Sequence, residues 1–178
     1  MNQTAILSLQ AALLPVIPAL YPTSLANNEA LLVGQNLSTL TALQSALALP
    51  MLHWVLRPMT QLNDQKFDKA YPLALVWINC EDASFKAGQD HDQQILQATQ
   101  SIQKCRDLYG RHCLVFVPIN SNLNLTSMGF SRMTLELFQY QDALFELWQF
   151  NLFDYKQVPD WLNSRFWANP EHWDKYRW

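Results

Sequence analysis

Two groups of polar residues stand close together near the middle of the chain. Asn79-Cys80-Glu81-Asp82 closes an apolar run, and Asp90-His91-Asp92 follows after the short stretch ASFKAGQ. Carboxylate oxygens with one imidazole are the ligand types that hold Mg²⁺ or Mn²⁺, and such a metal polarises a phosphoryl oxygen or activates water. In that reading Glu81, Asp82 and Asp92 are the metal ligands, Asp82 and His91 the catalytic candidates, and the protein a small metal-dependent hydrolase. The competing reading is a solvated loop of an α/β sheet. There, acidic residues at a helix start answer free amides and the positive end of the helix dipole. The loop reading is favoured, with neither metal nor other cofactor.

Other chemistries find less support. The 178 residues contain only four glycines, Gly34, Gly88, Gly110 and Gly129, so neither a phosphate-binding P-loop nor a dinucleotide G-x-G-x-x-G is present. No G-x-S-x-G elbow occurs. The cysteines, Cys80, Cys105 and Cys113, form no C-x-x-C pair and read as reduced, buried thiols of a cytoplasmic protein. Net charge is −3 and the pI about 5.7, with no cluster of Lys or Arg, which argues against a nucleic-acid binder.

The elements that must position these groups follow from hydrophobic patterning. Between Met1 and Leu56 the only charged residue is Glu29, and Ala5–Leu20 is largely apolar. That stretch has no cation before it, is broken by Pro15 and Pro18, and is shorter than the ~20 residues that span a bilayer. It is expected to form a buried helix over about residues 3–14, then a turn. Glu29–Gln35 and Met51–Arg57 read as strands flanking a helix that Asn36 or Ser38 caps, with Leu37, Leu40, Leu43 and Leu47 on one face. Residues 60–71 look like a polar connection. Pro72–Asn79 is the strongest strand, apolar enough to be buried on both faces.

A helix over Asp92–Leu108 carries the stripe Ile95, Ala98, Ile102, Cys105 and Leu108, with Asp90 or Asp92 as cap and Gly110 just past its end. His112–Ile119 is a further strand. Strand, helix and strand make a βαβ unit with parallel strands, and residues 30–57 repeat the order. Residues 133–153 fit either an antiparallel hairpin turning near Asp142 or one long helix, and the hairpin is favoured. Five of the seven tryptophans lie from Trp148 onward, and Asn169-Pro170 starts a short terminal helix.

The expected fold is therefore α/β: a single compact domain with a mostly parallel sheet from βαβ units, the hairpin near 133–153, and an aromatic C-terminal helical tail. Its parts are an uncharged N-terminal helix and turn (1–28), an α/β core (29–155) and the tail (156–178). The favoured function is a non-catalytic protein–protein interaction or assembly protein: an accessory subunit, a phage-type structural or neutralising protein, or an inhibitor. It would bind another protein or itself as an oligomer, through its apolar N-terminus and Trp161, Trp167, Trp173 and Trp178. The alternatives are the metal-dependent hydrolase and a small-molecule or single-stranded nucleic-acid module that stacks ligands on the tail tryptophans. No membrane partner is expected.

Overall fold

The computed structural model describes residues 13–14, 28–47, 49–78, 89–119, 121–133, 137–140 and 143–151. The first strand, β1 (Glu29–Gly34), buries everything after Glu29, as a continuous apolar run in a central parallel strand should. Asn36 then caps α1 (Leu37–Leu47): its Oδ1 accepts the Thr39 amide at 2.8 Å and the Ser38 hydroxyl at 2.7 Å. Leu40, Leu43 and Leu47 form the buried stripe of this helix, while Leu37 stays exposed. The next elements are β2 (His53–Pro58), α2 (Met59–Asp64), β3 (Tyr71–Trp77) and α3 (Gln89–Lys104). After a π-helical turn, Cys105–Tyr109, come β4 (Gly110–Pro118), a 3₁₀ turn at Thr126–Met128, β5 (Ser131–Arg132), β6 (Phe138–Tyr140) and β7 (Ala143–Asn151).

The sheet runs β2-β1-β3-β4-β7, and β5 and β6 both pair with β7. The first four strands are parallel; β7 is antiparallel to β4, β5 and β6. The step from β1 to β2 and the step from β3 to β4 go in opposite directions along the sheet. With both crossovers right-handed, their helices must cover opposite faces. The two cores agree. Leu40, Leu43 and Leu47 of α1 pack with Ala30, Leu32, Leu75, Trp77 and Phe116 on one face. Ala98 and Ile102 of α3 pack with Leu31, Val33, Val76 and Val115 on the other. This is the expected α/β domain with a mostly parallel sheet, and its hairpin, β6 with β7, joins Tyr140 to Ala143 across the turn.

Several local expectations are revised. The expected connection at 60–71 is in part a helix, α2, which begins at Met59 and buries Met59 and Leu62. It docks on α3, where the Asn63 amide donates to the Gln97 carbonyl at 3.1 Å and the Ser101 hydroxyl to Asn63 Oδ1 at 3.1 Å. The helix α3 starts at Gln89, so Asp90 and Asp92 lie inside its first turn and not at its cap. The π-helical turn, closed by the Gly110 amide on the Cys105 carbonyl, spreads one turn over more residues. Tyr109 therefore follows Cys105 into the core, and Leu108 swings out to 46% exposure. Gly110 has ordinary extended dihedrals, φ −111° and ψ 126°, and is required by close packing instead of a left-handed turn. The N-terminal helix at 3–14, apart from Leu13 and Leu14, and the aromatic tail at 156–178 fall outside the described residues.

An ion-pair network ties the chain as it crosses beneath β1 from β2 to β3. Arg57 lies in register with Val33, and its guanidinium donates both terminal nitrogens to the Asp68 carboxylate at 2.5 and 3.2 Å, and one to the Tyr71 hydroxyl at 3.3 Å. It also lies over the Tyr109 ring, 5.6 Å from the centroid. The hydrogen bond to Arg57 holds the Asp68 carboxyl down at about 2, and the same bond raises the Arg57 pKa. Burial raises the Tyr71 and Tyr109 hydroxyls. Next in the strap, the Lys69 ammonium pairs with Glu29 at the start of β1.

Candidate functional site

Strand order locates the site before any side chain does. The crossover helix α1 leaves β1 toward β2 on one face, and α3 leaves β3 toward β4 on the other. Between β1 and β3 the winding reverses, so strand order defines a switch-point crevice beyond the carboxyl ends of those two strands. In open α/β sheets this is where ligands bind.

The β1 side of the crevice is the turn Gly34-Gln35-Asn36 leading into α1. A Cβ at Gly34 would lie 2.9 Å from Leu40 Cδ2 and 3.4 Å from the Trp77 carbonyl oxygen, so the glycine lets the first turn of α1 settle against the end of β3. Asn36 already takes the Thr39 amide, one of the donors that a helix start would otherwise offer an anion. With a single glycine and a self-satisfied cap, this turn is a poor pyrophosphate cradle. It does not prevent a phosphate-free ligand from lying across it.

On the β3 side, Trp77 is buried, stacked on Phe145 with ring centroids 4.8 Å apart and tilted against Phe116 at 5.5 Å. The Ile78 amide donates to the Phe116 carbonyl at 2.9 Å and extends the β3–β4 ladder by one residue. These rings make a rigid apolar floor that runs from β3 through β4 to β7. At the end of β2 stand Arg57 and Pro58, with Arg57 committed to Asp68. A dinucleotide fold would place a ribose-binding acid near there, and this strand has none.

Of the residues singled out from sequence, Glu81 and Asp82 follow Ile78 by three and four positions and lie outside the described residues. Asp92 is exposed in the first turn of α3. His91 belongs to the same helix, and its side chain is outside the described set. Among the described residues no group of three or more His, Cys, Asp or Glu is placed to hold a metal ion. Trp161, Trp167, Trp173 and Trp178, and the thiol of Cys80, are likewise outside the described residues.

Cys105 and Cys113 are buried free thiols. Desolvation pushes Cys105 up to about 12 and Cys113 well above its usual value, so neither is a nucleophile at neutral pH. No helix among the described residues is long and apolar enough to cross a membrane. Sequence reading passed over the turn at Gly34 as a mere strand end. The available signal was its position, one glycine between the first buried strand and a capped helix.

Residues 7–178 match a family of unknown function (DUF6231), and the chain belongs to that family. No curated protein matches. Among solved structures, the chain is similar to magnesium protoporphyrin IX methyltransferase (ChlM) from Synechocystis PCC 6803. The form with bound SAM matches at 13% identity and TM-score 0.46, over 83% of this chain and 78% of that one. The form with bound SAH matches at 12% identity and TM-score 0.44, over 83% and 82%. The LepI complex with SAM matches at 8% identity and TM-score 0.33, over 79% of this chain and 40% of that one. Against the expectation of a non-catalytic interaction or assembly protein and oligomer, the structures matched are of a methyltransferase and of LepI. Against the expected absence of a cofactor, those structures hold SAM or SAH, and at 8–13% identity their likeness to this chain is one of fold.

Proposed function

We propose that this member of the DUF6231 family binds SAM in the crevice between the carboxyl ends of β1 and β3 and serves methyl transfer to a small molecule. The observation that carries the reading is the strand order β2-β1-β3-β4 with helices on opposite faces, which makes this crevice the switch point of a doubly wound sheet. The residues present discriminate among nucleoside ligands. NAD and nucleoside triphosphates need a glycine-rich turn and open helix amides for their phosphates. Here one glycine and an Asn36 cap stand in that place, which suits a nucleoside without phosphate. SAM is such a ligand, and when bound it supplies an electrophilic methyl group.

The roles fall on few residues. Gly34-Gln35-Asn36 would carry the ligand on the β1 side, and the segment after Ile78 would carry it on the β3 side. With Arg57 committed elsewhere, Glu81 and Asp82 are the acids closest in sequence to this edge, and they take the part of holding ribose hydroxyls or the ligand's cationic amine. The ring cluster of Trp77, Phe116 and Phe145 packs the end of β3 against β4 and β7.

Thermal melting of the purified chain tests the reading. SAM or SAH at about 100 times its dissociation constant should add about 2.7 kcal/mol of stability. NAD and ATP should add nothing, and Glu81→Gln with Asp82→Asn should abolish the SAM-dependent rise while leaving the unliganded melt unchanged. A chain whose melt ignores SAM and SAH, or answers NAD equally well, would refute the proposal.

A further inference from the structure

The opposite, amino-terminal end of the sheet carries a second concavity. A cleft of about 740 Å³ opens where β4 begins, between the π-helical turn and the 3₁₀ turn at Thr126–Met128. A smaller one of about 490 Å³ lies on the α2 side, and the two share Asp107 and Leu108 of the π-helical turn. Insertions of π geometry in a helix recur at functional sites. This one places Arg106, Asp107 and an exposed Leu108 on the cleft wall while sending Cys105 and Tyr109 into the core.

Two guanidinium groups line the larger cleft in different states. Arg106 is fixed: its Nε and one terminal nitrogen donate to Asp107 at 2.6 and 2.9 Å, and the other terminal nitrogen to the Met128 carbonyl at 2.5 Å. It also lies over the Phe150 ring, 5.8 Å from its centroid. Asp107 is thereby neutralised. Arg111, the second residue of β4, is exposed and has no carboxylate partner among the described residues. Among the described residues the cleft thus carries one uncompensated positive charge, beside the side chains of Leu108, Met128 and Phe150.

We infer that this cleft is a second ligand site, which takes a small organic acid with one carboxylate on an apolar ring-sized body. Arg111 meets the carboxylate with its two-pronged fork. The body lies against Leu108, Met128 and Phe150. A monoanion with an apolar body is favoured over phosphate because the single guanidinium of Arg111 matches one negative charge, and phosphate has no apolar body to lie against Leu108, Met128 and Phe150. The site is at the other end of the strands from the β1–β3 crevice, so its occupant is an effector and not the reacting substrate.

Benzoate titration followed by calorimetry, on the full chain and on Arg111→Ala and Arg111→Lys, tests the inference. Benzoate should bind at one site, saturating on the order of millimolar. Arg111→Ala should weaken it about 10-fold or more, Arg111→Lys less, and acetate and inorganic phosphate should bind more weakly than benzoate. Arg111 is exposed, so urea midpoints of the variants should match the parent. The inference fails if benzoate does not saturate, if Arg111→Ala binds it as well as the parent, or if phosphate binds as tightly. Measured SAM affinity in Arg111→Ala keeps this result separate from that of the β1–β3 crevice.

Discussion

Replacing Gly110 and Gly34 by alanine, one at a time, should change stability differently at two superficially alike glycines. Both have negative φ, so alanine meets no backbone strain at either, and its lower entropy in the unfolded chain favours folding by about 0.4–1 kcal/mol. Sterics then decide. At Gly110 the new methyl would lie 2.8 Å from Ala74 Cβ, 3.0 Å from the His112 carbonyl oxygen and 3.1 Å from that of Cys105. Those atoms belong to the backbone or are bonded directly to it, and the Cys105 oxygen is the acceptor that closes the π-helical turn. Relief requires β3 and β4 to part, at the 1–3 kcal/mol typical of overpacking, so the net loss is about 1–2 kcal/mol. At Gly34 the nearest atom is Leu40 Cδ2, the free end of a side chain that can rotate, and the next is an oxygen at 3.4 Å. The overpacking and entropy contributions there roughly cancel. Urea denaturation reads the difference: with a slope of about 2 kcal/mol per molar, Gly110→Ala should unfold about 0.5–1 M earlier than Gly34→Ala. Equal midpoints, or Gly34→Ala the weaker of the two, would refute the packing described for the start of β4.

The Asp68 carboxyl, held at about 2 by Arg57 against an ordinary 3.8, lends stability that is full above pH 4 and is lost as pH falls from 4 to 2. The side chain is 37% exposed, so solvent screening reduces the contribution to about 1 kcal/mol. Asp68→Asn should therefore be less stable at pH 7 and show a flatter acid limb by chemical denaturation; parallel limbs would count against the pair. Asn36→Ala should cost about 1 kcal/mol, because the Thr39 amide loses its acceptor, whereas Asn36→Asp should cost little. An alanine variant as stable as the parent would show that the α1 cap is dispensable.

The strands were readable because their chemistry is local. Continuous apolar runs at Glu29–Gly34, Tyr71–Trp77 and Gly110–Pro118 each bury nearly every side chain, and period alone distinguishes them from the stripe of α3. The helix α2 was not readable: six residues give too few turns for a stripe, and Met59 and Leu62 are its only buried residues. The role of Asp68 was hidden for a different reason. Its partner Arg57 is eleven residues away, across a turn whose path only the folded sheet defines. The π-helical turn has no compositional mark either. Leu108 and Tyr109 are both plausible continuations of the stripe, and the choice between them is made by the Gly110 amide reaching back to Cys105. As for the site, sequence drew attention to Glu81 and Asp82 through their charge, while the geometry that selects this edge comes from strand order, which no short motif encodes.

Arg57 links the strap to the chemistry of the crevice. It comes just before the end of β2, where an acid would face a ribose in a dinucleotide fold, and it is 8% exposed, held between Asp68, Tyr71 and the Tyr109 ring. Exchanging it for an acid would bury a carboxylate against Asp68, with like charges and no donor, so this strand cannot be converted to ribose recognition by one substitution. Arg57 ties the short crossover from β2 to β3 through Asp68 and Tyr71, so its guanidinium is already engaged. On the proposed reading, recognition then falls to the turn after β1 and the segment after Ile78. The first offers a single glycine and a capped helix, and the second carries Glu81 and Asp82 in its sequence.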